Sequence, residues 1–296
     1  GARKQDIHGI RTHRDGHGSK TRHRIQHQLE TVGVGPFDQG FQGVEKSRTG
    51  LVMNREEMCR PALLFGQDDV EGGPVDGLAP ADFHPHGISL WKSEEGKRRL
   101  FVISHRSTGE QLIEIFDILQ EGTLQHAETL SHPLIHSPND LVATGERSFF
   151  VSNDHRLSGL GRNMEDLLGL PLSDVVHFDG QSASSVIKQL AYPNGINISA
   201  DGNTLYVAEI MRRHIRAWHR QADGSFIEGQ AWPMRMGADN IEIDEAGNLW
   251  TAGHPNILAF PAHAADPAKL SPSMASMIDP ATNEVKEIFY SAGDDI

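Results

Sequence analysis

The sequence predicts an all-β chain: a six-bladed β-propeller whose four-stranded antiparallel blades surround a central tunnel. Three observations lead there. From about residue 83 onward the apolar runs are short or alternating and bounded by turn residues. A similar strand-entry segment recurs, as Phe83-His84-Pro85-His86-Gly87-Ile88, Ser137-Pro138-Asn139-Asp140-Leu141, Tyr192-Pro193-Asn194-Gly195-Ile196 and Gly237-Ala238-Asp239-Asn240-Ile241. The spacing is regular: 53 residues from His86 to Asn139, 55 from Asn139 to Asn194 and 46 from Asn194 to Asn240. That period suits a four-stranded blade, and the chain holds about six of them. Radial stacking buries the faces of such sheets and keeps their edges short.

Taken in order, residues 99–104, 111–118, 147–152, 175–179, 194–199 and 204–209 read as strands. Turns at Ala200-Asp201-Gly202-Asn203, Ala222-Asp223-Gly224-Ser225 and Glu245-Ala246-Gly247-Asn248 separate strands. The stretches 194–207 and 239–251 repeat one pattern of strand, tight turn, strand. Residues 157–170, with Met164, Leu167 and Leu168 ahead of Pro171, read as a helical insertion. Residues 1–35 are rich in His and Arg without a period, as a surface arm or an atypical first-blade segment would be. Residues 36–296 then form a single propeller domain, against the competing reading of a β-sandwich.

A formal charge of −13 argues against a nucleic-acid surface. No run of 18 apolar residues exists, so no transmembrane segment is expected. Residues 1–30 carry seven Lys and Arg without an apolar segment after them, unlike a secretory leader. The single cysteine, Cys59, has no internal disulfide partner. Cytoplasm is therefore the favoured compartment, with a leader removed earlier left open. Monomer and homodimer are equally compatible with the sequence.

If the ring closes, Asn139, Asn194, Asp239 and Asn240 fall at the same end of successive blades, on loops or first-strand positions. Calcium takes six to eight oxygens from carboxylates, amides, backbone carbonyls and water. Amide oxygens hold the dication without neutralising it, which leaves charge to polarise a carbonyl. Turn propensity alone also favours Asn and Asp at such places; the recurrence is what singles them out. The donors come from distant segments, unlike an EF-hand, and no His-Glu-x-x-His helix points to zinc.

These segments resemble the paraoxonase or arylesterase family of calcium-dependent lactone and ester hydrolases, which are six-bladed propellers. The likeness lies in 83–89, in 138–143 followed by 149–155, in 194–199, and in 239–241 with 249–256, in order and at matching spacing. The resemblance implies two calcium ions. Asn139, Asn194, Asp239 and Asn240 match the side chains that hold the catalytic ion; Asp140 and the backbone oxygen of Ile88 match ligands of a structural one. His86 matches the histidine base, His105 the histidine that orients or relays for it, and His254 a further pocket histidine. The first blade departs from the pattern. Its expected Glu-Asp pair is replaced by Phe37-Asp38, so Asp38 is one candidate ligand and Glu45 the other.

The implied activity is hydrolysis of a small-molecule lactone, and of aryl esters, with a metal-polarised carbonyl and histidine-activated water. Two alternatives stand: a sugar-lactone hydrolase resembling gluconolactonase, and a non-catalytic calcium-stabilised propeller that binds a partner.

Overall fold

The computed structural model describes residues 80, 82–119, 123–266 and 268–293, all within the compact unit Thr49–Ile296. Sixteen strands form four four-stranded antiparallel sheets, each a meander in chain order. The first holds β1 (Pro85–Lys92), β2 (Arg98–His105), β3 (Gln111–Ile118) and β4 (Leu124–Leu130). The second holds β5 (Pro138–Ala143), β6 (Phe149–Asn153), β7 (Ser173–Phe178) and β8 (Ala183–Leu190). The third holds β9 (Pro193–Ile198), β10 (Thr204–Glu209), β11 (His214–Arg220) and β12 (Phe226–Pro233). The fourth holds β13 (Gly237–Ile243), β14 (Leu249–His254), β15 (Ser273–Asp279) and β16 (Glu284–Ser291).

Alternation along the middle strands explains how the sheets stack. Phe149 and Val151 of β6 join a core with Phe101, Ile103 and Ile115 of the first sheet. Phe150, between them, faces the other way and packs with Leu205, Val207 and Trp218 of the third. In β10 the same division sends Tyr206 and Ala208 into a core with Ile241, Leu249 and Ile278 of the fourth sheet. Middle strands buried on both faces carry continuous apolar residues, because each side chain has a neighbouring sheet to meet. The first strands lie side by side, β1 against β5, β5 against β9 and β9 against β13, and so form the inner wall.

This layered, radial order of blades is the β-propeller that the repeat predicts. The described residues build four blades, so they show the propeller and not the expected count of six. In the β9–β10 and β13–β14 hairpins the turns close on Asp201 and Asp244, whose carboxylates accept the amides of Asn203 at 3.0 Å and Asn248 at 2.9 Å. Gly202 and Gly247 supply the positive φ, 72° and 85°, that such turns require. Two helices interrupt the meanders, α1 (Leu160–Leu168) after β6 and α2 (Phe260–Ala265) after β14.

Candidate active site

Every inner strand is bulged near its start, at the same level. In β1 the pairing jumps from Pro85↔Ser104 to Ile88↔Val102, so His86 and Gly87 oppose a single residue. In β5 Asn139 is the extra residue between Pro138↔Asn153 and Asp140↔Ser152. In β9 Asn194 and Gly195 oppose Ala208, and in β13 Asp239 and Asn240 oppose Ala252. A bulge turns its residues out of the pleat and re-aims their side chains. The four repeated positions are therefore the places where the backbone can direct polar groups off the ladder.

Close approach of one inner strand to the next fixes the glycines. A Cβ on Gly87 would lie 2.6 Å from the Asn139 carbonyl oxygen and 2.9 Å from Asp140 Cα. One on Gly195 would lie 2.1 Å from the Asp239 oxygen and 2.7 Å from Asn240 Cα. Only glycine lets bulge meet bulge at this distance. Polar bonds tie the wall together as well: Ser152 Oγ donates to the Asn194 carbonyl at 2.6 Å, and the Ile196 amide donates across to Asp140 Oδ2 at 2.9 Å.

Asn139, Asp140 and Asn194 are buried, Asp239 is half-buried and Asn240 is exposed. Ile88 follows the β1 bulge, next to the Gly87–Asp140 contact. Burial pushes the Asp140 carboxyl up to about 7, against the amides of Ile196 and Leu141; the charges of Asp239 and Glu242 push the same way. Burial also raises Asp239, opposed by His254 and the side-chain amide of Asn194. Asn194 Oδ1 is buried and has no hydrogen-bond partner. An orphaned amide oxygen beside carboxylates that repel one another is a donor set that a hard dication would satisfy. Among the described residues no three His, Cys, Asp or Glu side chains cluster as metal ligands by themselves, so asparagine oxygens are needed to complete any such set. Asp38 and Glu45 lie outside the described residues.

Beside the bulges is a cavity of about 370 Å³ whose lining includes His86, His105, Gln111, Asn139, Asp154, Arg162 and Tyr192. The His86 and His105 rings are 4.9 Å apart between centroids. Gln111 donates its Nε2 to the Gly109 carbonyl at 3.1 Å, which turns its Oε1 toward His105 Nδ1. That nitrogen must then carry the proton, and Nε2 is left as the acceptor. His84 instead bonds Asp82 at 2.7 Å and is exposed.

Behind the cavity, buried His155 stands between Asp154 at 2.9 Å and Asp166 of α1 at 2.7 Å. Burial alone would raise the Asp154 carboxyl; the His155 ring against it, the bond from Ser137 and the charges of His155 and Arg162 outweigh it and hold it low. Burial pushes the Tyr192 hydroxyl up to about 12, so it stays protonated at neutral pH. His254 is half-buried beside Asp239, its ring stacked on Phe260 at 4.1 Å and its Nδ1 buried without a partner. Sequence reasoning missed Gln111, Arg162 and Tyr192 in the cavity. They reach it through sheet pairing and the α1 insertion, and no motif marks them.

The arylesterase family model matches residues 69–290. The chain belongs to the arylesterase family. Among relatives of this arylesterase-family chain, human serum paraoxonase/arylesterase 1 is 34% identical over 209 residues, covering 70% of this chain and 57% of that one. The mouse serum paraoxonase/arylesterase 1 is 33% identical over 224 residues, covering 73% and 61%. The chain thus spans about three-fifths of the length of these relatives. The solved Pseudomonas aeruginosa periplasmic gluconolactonase matches 71% of this chain and 58% of its own at TM-score 0.42 and 14% identity, too distant to bear on function.

Proposed function

We propose that this arylesterase-family chain is a calcium-dependent hydrolase of lactones and aryl esters. The observation that carries the reading is a coincidence of level: the bulges that aim Asn139, Asn194, Asp239 and Asn240 off the inner strands also aim His86 beside the cavity. The names of the relatives, serum paraoxonase/arylesterase, support the ester-hydrolase part of this reading.

Asn139, Asn194, Asp239 and Asn240 would hold one calcium ion, with Asp140 and the Ile88 carbonyl serving a second, structural one. A calcium ion in the first position supplies a Lewis acid for the substrate carbonyl oxygen. The chain does the proton work. His86, exposed on the cavity side, takes a proton from water, the general-base role that an imidazole fills most often. His105 accepts at Nε2 because Gln111 pins the proton at Nδ1, and so receives the proton onward or orients His86. Tyr192, held protonated, serves as wall and donor, not as base.

The test is turnover across a panel of γ- and δ-lactones, sugar lactones and aryl esters, in calcium and after chelation with EGTA. The reading expects calcium-dependent turnover of simple lactones, with calcium found on metal analysis of protein purified without chelator. Zinc as the stoichiometric metal, or calcium binding without turnover of any panel member, would refute it.

A further inference from the structure

A second cavity, of about 580 Å³, opens at the other end of the inner strands. Its wall includes Trp91 near the end of β1, Ala143 closing β5 and Ile198 closing β9, with His177 and Arg220 from the middle of the second and third blades. Ala143 lies four residues beyond Asn139 and Ile198 four beyond Asn194. At about 3.3 Å per strand residue the two cavities are roughly 13 Å apart along the wall.

The polar groups here are unequally engaged. Asp179 accepts the amides of Gln181 and Ser182 at 2.8 Å each and the Ser182 hydroxyl at 3.0 Å, so its own turn consumes it. The Thr144 and Ser148 hydroxyls bond one another at 2.8 Å. Arg220 is different. Its guanidinium is stacked over Phe150 at 5.4 Å and Phe226 at 5.3 Å, and among the described residues it makes no ion pair. His177 stacks on the same Phe150 ring at 4.3 Å. Burial, and then the Arg220 charge, hold His177 below the ordinary imidazole range, so it stands neutral at pH 7 and offers a hydrogen bond without charge. Arg220 is exposed, and the two ring faces bias its fork toward one position before anything binds, which lowers the cost of ordering it.

We propose that this far-end cavity is a second, non-catalytic binding site, taking a small carboxylate monoanion with an apolar or aromatic body. The planar guanidinium matches a carboxylate with two parallel donors, and the Trp91, Ala143 and Ile198 surfaces receive the body. The Asp179 charge on the same wall disfavours a dianion. The volume falls in the range of small-molecule sites. The inference stands apart from the hydrolase reading, since it uses none of the same residues.

The probe is 4-(trifluoromethyl)benzoate, followed by fluorine NMR on the whole chain. Binding is expected at a Kd on the order of a millimolar or tighter, as few contacts and one fork allow. Arg220→Gln should weaken it about tenfold and Arg220→Lys by a smaller factor, since lysine keeps the charge and loses the fork. Asp179→Asn should tighten it. Arg162→Gln, at the other cavity, should leave it unchanged. Should Arg220→Gln fold poorly, Arg220→Lys with an unchanged Tm carries the test. The proposal is overturned by absence of binding, by loss of binding in Arg162→Gln with none in the Arg220 variants, or by inorganic phosphate displacing the probe at lower concentration than benzoate does.

Discussion

Gly195→Ala puts the inner wall to its most direct test. The added methyl carbon would lie 2.1 Å from the Asp239 oxygen, with Asn240 Cα at 2.7 Å and Asn240 C at 2.8 Å. Carbon–oxygen contacts settle at about 3.3–3.6 Å, so β9 and the β13 bulge must part by roughly 1.2–1.5 Å. All three obstacles are backbone, and no rotamer change relieves them. Overpacking of this kind costs about 1–3 kcal/mol, and backbone obstruction places the cost at the upper end. At roughly 2–4 °C per kcal/mol for a domain of this size, Tm should fall by about 10 °C. The function should suffer more than the stability. A displacement of about 1 Å between positioned groups can cost on the order of 10²-fold in rate, and here it separates Asn194 from Asp239 and Asn240. Thermal unfolding, calcium titration and lactone turnover on one preparation read all three. Gly145→Ala is the control: its nearest neighbour is the Ser148 Cβ at 3.3 Å, in a turn away from the bulges, so only a small local shift is needed, Tm should fall far less than in Gly195→Ala and turnover should be unchanged. A Gly195→Ala protein with wild-type Tm, calcium affinity and turnover would show that the bulges do not meet as described.

Four further outcomes are expected. Asn194→Ala should lower calcium affinity and turnover together, whereas a purely structural Asn194 would lower Tm without changing the calcium midpoint. His86→Gln should cut turnover by roughly 10²- to 10⁴-fold with calcium affinity nearly unchanged, and His105→Gln by less; full turnover in calcium-loaded His86→Gln would transfer the role of base to another group, Asp239 first. Gln111→Leu frees the His105 tautomer and should cost about 10- to 100-fold in turnover while shifting its pH profile, with Gln111→Glu restoring part of it; an unshifted profile would leave Gln111 a packing residue. Burial alone would lower the His155 pKa, but the Asp154 carboxylate 2.9 Å from its Nδ1 and the hydrogen bond to Asp166 outweigh this and raise it. A pKa raised on folding gives stability that is complete below the ordinary imidazole value and is lost as pH rises through the folded one. Tm should therefore decline above about pH 6.5, and His155→Gln should flatten that decline.

What the sequence by itself determined was the repeat and the strands with buried faces. The strands read at 111–118 and 204–209 coincide with β3 and β10, because middle strands packed on both sides are rich in apolar residues, with Glu114 the buried charged exception in β3. The outer strands left no such mark: β4 alternates between half-buried and exposed, and β16 is exposed along nearly its whole length although Val285, Ile288, Phe289 and Tyr290 are large and apolar, so composition does not report its burial. The recurring Asn and Asp-Asn entries singled out Asn139, Asn194, Asp239 and Asn240, and the family likeness singled out His86 and His105. Tertiary structure alone decided how they meet. Register is a property of two strands, so the bulges at His86–Gly87, Asn139, Asn194–Gly195 and Asp239–Asn240 appear only once pairing is known. Gln111, Arg162, Tyr192 and the stacked Arg220 owe their positions to contacts between elements far apart in the chain, and a single sequence carries no periodic signal for a contact of that kind.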